Sequence, residues 1–227
     1  MPITTCVFDA YGTLFDVSAA AREAAAEPGR EALAAKASEL AEHWRQKQLQ
    51  YSWLRTITGD YTAFWDITMD GLDWALEKTG LDGDMELRER LLALYWELSA
   101  YKEAHFMLAN LKARGLNTAI LSNGSKEMLD GAVYTSGIGE NIDVVLSVED
   151  IGIFKPSKQV YDMVGDRFGC QPDEVLFVSS NGWDAAGAAG YGFNTVWVNR
   201  AGDPVDRLPA KPQTILSDLT TIPDLIT

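Results

Sequence analysis

The sequence is poor in the residues that build several common kinds of site. Its 227 residues include two cysteines and two histidines, and 19 basic side chains stand against 33 acidic ones, a formal net charge of −14. Cys6 and Cys170 lie far apart without CxxC spacing, which supports neither a disulfide scaffold nor a zinc or dithiol centre; both are expected as buried thiols. His43 sits beside Trp44 in a helical stretch and His105 opens another, and with no partner motif each is expected to be structural. No apolar run approaches the ~20 residues a membrane helix needs. No basic residue precedes Asp9, unlike a secretory leader, so the expected location is cytoplasmic. Nucleic acid is excluded as a partner because phosphates require a basic face. The 47% hydrophobic content, with 10% aromatic, excludes a disordered chain and leaves room for one large domain or a core carrying an inserted lobe.

Two textures divide what is present. From about Val17 to Ala100 the pattern is helical: Leu33, Ala37, Leu40, Trp44, Tyr51 and Leu54 recur as one apolar face. Leu72, Ala75, Leu76 and Thr79 make a second such run ending at Gly80, and Leu87, Leu91, Leu94, Tyr95 and Leu98 a third. Elsewhere short β-rich runs alternate with helical ones. The strands are expected at Thr5 to Phe8, Asn117 to Leu121, Val144 to Leu146, Val175 to Val178 and Thr195 to Val198, with a last one near Thr214 to Leu216. That alternation is the βαβ pattern of a parallel sheet. The expected architecture is α/β, a doubly wound parallel-sheet (Rossmann-like) core of residues 1–15 and 101–227, with a helical cap domain inserted at 16–100.

Ligands of open α/β sheets bind beyond the carboxyl ends of the strands. In this chain those positions read Asp9-Ala10-Tyr11-Gly12-Thr13, Ser122-Asn123-Gly124-Ser125, Lys155-Pro156, and Ser179-Ser180-Asn181-Gly182-Trp183-Asp184. All four segments are polar and turn-like. Asp9 closes an apolar strand, which would aim its carboxylate into the cleft; alone it could equally cap a turn, but four convergent polar ends point to a site.

FDAYGTLFD at Phe8 to Asp16, ILSNGS at Ile120 to Ser125, Lys155-Pro156 and FVSSNGWD at Phe177 to Asp184 resemble the four motifs of the haloacid dehalogenase superfamily. The stretch WRQKQLQYSWLR, Trp44 to Arg55, resembles the cap signature of its L-2-haloacid dehalogenase branch. The superfamily also contains phosphatases, which place a second aspartate two positions after the nucleophile and bind Mg²⁺ through acidic residues of the fourth motif. Here Tyr11 occupies the first of those positions and Asp184 is the one carboxylate of the fourth loop. Tyr11 cannot act as a carboxylic acid, and a halide leaves without needing a proton. The expectation is an enzyme without a metal or other cofactor.

The resemblance implies a reaction. Asp9 attacks C2 of a short L-2-haloalkanoic acid, giving an ester and halide, and water then hydrolyses the ester at the aspartyl carbonyl to release a D-2-hydroxy acid. Asp184 is the expected water-activating group, with Lys155, Asn181 and Ser179 completing the polar network. Thr13, Ser122 and the amides of Ala10 and Tyr11 would hold the substrate carboxylate. Arg45, beside the apolar face bearing Trp44, is expected to be partly buried and hence to need an anion; with Asn123 it would cradle the halide. Tyr11, Phe64 and Trp183 would wall the pocket, with Gln46, Leu49 and Trp53 as neighbours, and Tyr161 matches a family tyrosine near the lysine. A homodimer is also implied, with the helix around Tyr51 to Ile57 as a candidate contact. The acidic run Asp82, Asp84 and Glu86 reads as solvated surface. Two other readings stand beside this one. A metal-dependent phosphohydrolase would be stopped by a chelator, and a catalytically silent carboxylate binder would never release halide.

Overall fold

The computed structural model describes residues 1–226. Strand β1 (Thr5–Phe8) is followed by helices α1 (Ala19–Ala25), α2 (Glu31–Ala34), α3 (Ala37–Thr58), α4 (Phe64–Thr79) and α5 (Met85–Trp96). The chain then alternates through α6 (Ala104–Ala113), β2 (Asn117–Ser122), α7 (Lys126–Ser136), β3 (Val144–Ser147), α8 (Lys158–Phe168), β4 (Val175–Ser179), α9 (Gly182–Tyr191) and β5 (Asn194–Val198). After a surface segment, β6 (Thr214–Leu216) closes one sheet of order β3-β2-β1-β4-β5-β6, parallel throughout. The expected doubly wound α/β core is therefore present.

The inner strands are mostly apolar and buried because crossover helices cover both faces of such a sheet. Every residue of β1 and β4 is buried. From β1 the order runs outward through β2 and β3 on one side and through β4, β5 and β6 on the other, so the winding reverses at β1 and β4. Phe8 is level with both Ile120 and Val178, and the Asp9 amide extends the ladder by donating to the Val178 carbonyl at 2.9 Å. The loops after β1 and β4 thus open side by side at the crevice where ligands of such sheets bind.

The lobe between β1 and β2 joins the core through two adjacent crossings. Phe15 pairs antiparallel with Ala100, Asp16 N–H donates to the Ser99 carbonyl at 3.0 Å, and Tyr101 N–H donates to the Leu14 carbonyl at 2.8 Å. We propose that the division of a 16–100 cap from the core runs through this short ladder. Inside the lobe α3 packs along α4. The Trp44 indole donates to the Thr68 carbonyl at 2.8 Å, while Gln48 Nε2 reaches Thr68 Oγ1 at 2.8 Å and the Tyr95 hydroxyl at 3.2 Å. The alanines of α1 allow close approach to α5, and four of them, Ala19, Ala20, Ala21 and Ala24, are buried.

The cap departs from its expected face. The chain is not one helix from Leu33 to Leu54, because α2 ends at Ala34 and α3 begins at Ala37. The buried face of α3 is Leu40, Trp44, Gln48 and Ser52, a strict four-residue step. Leu54 lies two positions past the end of that stripe and is 50% exposed. Only one thiol is fully buried: Cys6, pushed up to about 12 by burial, is inert, whereas Cys170 is half-buried. The acidic run is more than solvated surface, since Asp84 caps α5 by accepting from the Leu87 amide at 2.8 Å and pairs with Arg30 at 2.7 Å. His43 meets Glu39 and the edge of Trp74, and His105 is exposed.

Candidate active site

Asp9 ends β1 as a buried carboxylate whose two oxygens are held differently. Oδ2 accepts from the Thr13 hydroxyl and from Asn181 Nδ2, each at 2.9 Å, and Oδ1 accepts from Lys155 Nζ at 3.2 Å. The donors come from the loop after β1, the turn opening α9, and the segment before α8, so three strand ends converge on one side chain. Thr13 is itself set by the Ser180 amide, which donates to Oγ1 at 2.8 Å.

Lys155 is the centre of charge. It is 1% exposed, and its ammonium also donates to Asp184 Oδ2 at 2.9 Å; Asp184 is wholly buried and accepts from the Tyr161 hydroxyl at 2.8 Å through Oδ1. Burial alone would lower the lysine, but the Asp184 and Asp9 carboxylates outweigh it and hold Lys155 above its ordinary value. Burial raises Asp184, aided by the charge on Asp9, while Lys155 pulls the other way. Burial and the neighbouring Asp184 push Tyr161 well above the usual tyrosine range, which keeps it a neutral donor. Breaking such a buried pair by removing one member typically costs about 3–5 kcal/mol.

Arg45 is half-buried on α3 and crosses from the cap to the core. Its Nη2 donates to Asn181 Oδ1 at 2.6 Å and lies 3.4 Å from the Tyr11 carbonyl. Asn181 therefore links Arg45 and Asp9 through its two polar ends. Gly12 permits this approach: its φ is +86°, and a Cβ there would meet Arg45 Nη2 at 3.0 Å and Ser180 Oγ at 3.1 Å. Arg45, Gly12, Asn181 and Trp183 line a cavity of about 680 Å³ that continues to Arg200.

The other residue expected at the halide is Asn123, whose Oδ1 accepts the Lys155 amide at 3.0 Å, which leaves its Nδ2 as the donor end. Ser122 and Ser179 are buried and shape their loops, accepting the amides of Gly124 and Asn181 respectively at 3.1 Å each. Ala10 is buried, and its carbonyl accepts three following amides. Tyr11 stacks on Tyr95 with centroids 5.8 Å apart and lies 6.3 Å from Phe64, which in turn faces Phe154. Trp53 and Trp183 meet edge to face at 5.3 Å. Gln46 is exposed and Leu49 lines the cavity. Tyr95 and Phe154, which stand against Tyr11 and Phe64, are not among the residues expected from the sequence.

A divalent ion does not fit this arrangement. The Lys155 ammonium lies between the two carboxylates, and among the described residues no three acidic, histidine or cysteine side chains are grouped to hold a metal.

The fold is that of a known class. A family model described as haloacid dehalogenase-like hydrolase matches residues 3–192, and the chain belongs to that family. An (S)-2-haloacid dehalogenase from a Pseudomonas species (strain CBS-3) is 48% identical over 225 residues, 99% of this chain and 97% of the relative. Another, from Burkholderia cepacia, is 46% identical over 202 residues, 89% of this chain and 85% of the relative. The solved L-2-haloacid dehalogenase from Xanthobacter autotrophicus with chloropropionic acid covalently bound superposes with a TM-score of 0.85 at 35% identity, covering 98% of each chain. Within the family these similarities put the chain in the L-2-haloacid dehalogenase branch.

Proposed function

We propose that this protein hydrolyses short L-2-haloalkanoic acids to D-2-hydroxy acids and halide through an ester on Asp9, without a metal. The observation that carries the reading is a buried nucleophile with three donors, beside a second buried carboxylate, with an arginine reaching in from the cap. One Asp9 oxygen forms a bond to C2 as the carbon–halogen bond breaks and its electrons leave on the halide. Arg45, with the Nδ2 end of Asn123, stabilises that growing negative charge, an interaction that counts most in the transition state. Thr13 and the amides of Ala10 and Tyr11 receive the substrate carboxylate, with Ser122 supporting the loop beside them. Tyr11, Phe64 and Trp183 enclose the alkyl group.

Water then adds to the Asp9 carbonyl carbon. Asp184 takes a proton from it and returns that proton to the departing alkoxide, while Asp9 regains its charge as a second proton goes to solvent. Attack at the carbonyl leaves the inverted C2 untouched. Lys155 balances the two carboxylates through both steps, Tyr161 orients Asp184, and Ser179 fixes the turn that presents Asn181.

The test is halide release from each enantiomer of 2-chloropropionate without added metal, with D-lactate as the expected product. Preference for the D enantiomer overturns the branch specificity, and loss of turnover on chelation overturns the metal-free mechanism. We also propose a cytoplasmic homodimer; no helix among the described residues is long and apolar enough to cross a membrane. Leu54 and Ile57, 50% and 80% exposed on one end of α3, are a candidate contact that sedimentation of wild type and Ile57→Asp would test.

A further inference from the structure

Arg200 lies in the turn after β5 and makes no hydrogen bond or ion pair with Asp9 itself. That turn is firmly based. The Asn199 amide donates to the Leu216 carbonyl of β6 at 2.8 Å, and the Asn199 side chain brackets Asp203, donating to its carbonyl at 2.8 Å and accepting its amide at 2.9 Å. From this base the guanidinium reaches the place where the cap rejoins the core. It stacks on the Tyr101 ring 3.6 Å from the centroid, donates through Nη1 to Glu103 Oε1 at 2.7 Å, and donates through Nη2 to the Thr13 carbonyl at 3.3 Å.

Each partner has a defined place. Tyr101 follows the returning crossing and donates its amide to the Leu14 carbonyl at 2.8 Å; Thr13 gives its hydroxyl to Asp9. One planar side chain therefore joins the cap's return to the loop that aims the nucleophile. A simple surface ion pair with Glu103 would explain neither the ring stacking nor the donation to a catalytic-loop carbonyl, and such pairs contribute little. Nor is the guanidinium placed for its own satisfaction: its buried Nε has no acceptor among the described residues. The position is dictated by the three partners.

We infer that Arg200 is a positioning residue for ester formation, holding Thr13 in register with Asp9 and coupling that register to the seating of the cap. It acts through Thr13 and does not touch the substrate. This role rests on the dehalogenase reading, and wild-type halide release without metal checks that reading separately.

The test is a double-mutant cycle of Arg200→Met and Thr13→Val, read as the single-turnover rate of halide release from L-2-chloropropionate. Arg200→Met is expected to lower that rate about 10-fold, since small displacements of a reacting group are costly, with KM changed by no more than ~2-fold. Thr13→Val is expected to lower it about 100-fold, and the double variant to be no slower than Thr13→Val alone. Arg200→Lys, which keeps the charge but not the flat stack, should recover part of the loss and replaces Arg200→Met in the cycle if that variant does not fold. Multiplying losses would overturn the inference, because Arg200 would then act independently of Thr13. A raised KM with an unchanged rate would also overturn it, by making Arg200 a ligand-binding group of the adjoining cavity.

Discussion

The core and the cap meet at the same cavity but contribute to it in opposite ways. The core half is a sealed set of charges, Asp9, Lys155 and Asp184, fixed by strand ends and by each other. The cap half contributes its charge through one half-buried arm, Arg45, whose hydrogen-bond partners lie across the boundary in Tyr11 and Asn181. A sealed network cannot change much without breaking, whereas an arm that depends on the other domain is effective only when the domains are closed. The difference suggests that the core sets which bonds form and break, and that cap seating decides when the departing halide is stabilised.

The hardest test of the core half is Asp9→Asn, which removes the attacking carboxylate but keeps the shape. Halide release should fall by roughly 10⁴-fold or more, and no mass-shifted peptide containing residue 9 should form. Asp184→Asn separates the two steps. Halide should appear once per chain, the ester should persist on Asp9, and steady turnover should drop about 10²–10⁴-fold. Unchanged steady turnover would remove Asp184 from the water step.

Arg45→Lys tests the cap half. Lysine keeps the charge but not the planar reach to Asn181 and Tyr11, so the halide-releasing step should slow about 10²-fold while hydrolysis of an ester already formed proceeds at its normal rate. Equal slowing of both steps would mean that Arg45 mainly holds the core together, and the contrast between the halves would fail.

Much of the core half is readable in the chain, because a parallel sheet announces itself in apolar runs and its ligand groups must follow those runs directly. Asp9, Lys155, Asn181 and Asp184 all sit where a strand end or the loop beyond it puts them. What a run cannot show is which loop atom another loop will use. Asn123 follows β2 as expected but spends its oxygen on the Lys155 amide, and Ser180 sets Thr13 through its backbone, which no side-chain pattern records. The cap was less legible for a different reason. Apolar periodicity marks Leu40 and Trp44, yet the buried stripe of α3 is completed by Gln48 and Ser52. A polar residue at a stripe position was the available signal.

The charge network also predicts a pH dependence, again unequal between the halves. Asp184 faces Lys155, Tyr161 and Asp9, and its raised value means that it must lose a proton above the ordinary 3.8 before it can act as a base. Ester hydrolysis should therefore fail on the acid side at a higher pH than an ordinary aspartate would allow, while the alkylation step need not follow. Lys155 faces Asp9 and Asp184 and is held above 10.5. Its contribution to stability is complete below that unfolded value and is lost as pH rises through the higher folded one. Melting temperature against pH should fall more steeply on the alkaline side in wild type than in Lys155→Met, which starts from a lower baseline; Cys6 and Tyr161, raised by burial, add an alkaline loss to both.

The mildest change expected is Gln48→Leu, deep in the cap and remote from reacting atoms. Leucine would fill the space but remove the partner of the Tyr95 hydroxyl, which is buried; Thr68 would still donate to the Phe64 carbonyl at 2.8 Å. One orphaned buried hydroxyl costs about 1–3 kcal/mol, which for a chain of this length is a fall of roughly 2–4 °C in Tm per kcal/mol. Tyr95 also stacks on Tyr11, so looseness in the cap interior has one short path to the pocket wall. If the cap only delivers Arg45, Tm should fall while kcat changes by less than ~3-fold. A kcat loss as large as that of Arg45→Lys would show that the cap's packed interior, and not its one reaching arm, sets the geometry around Asp9.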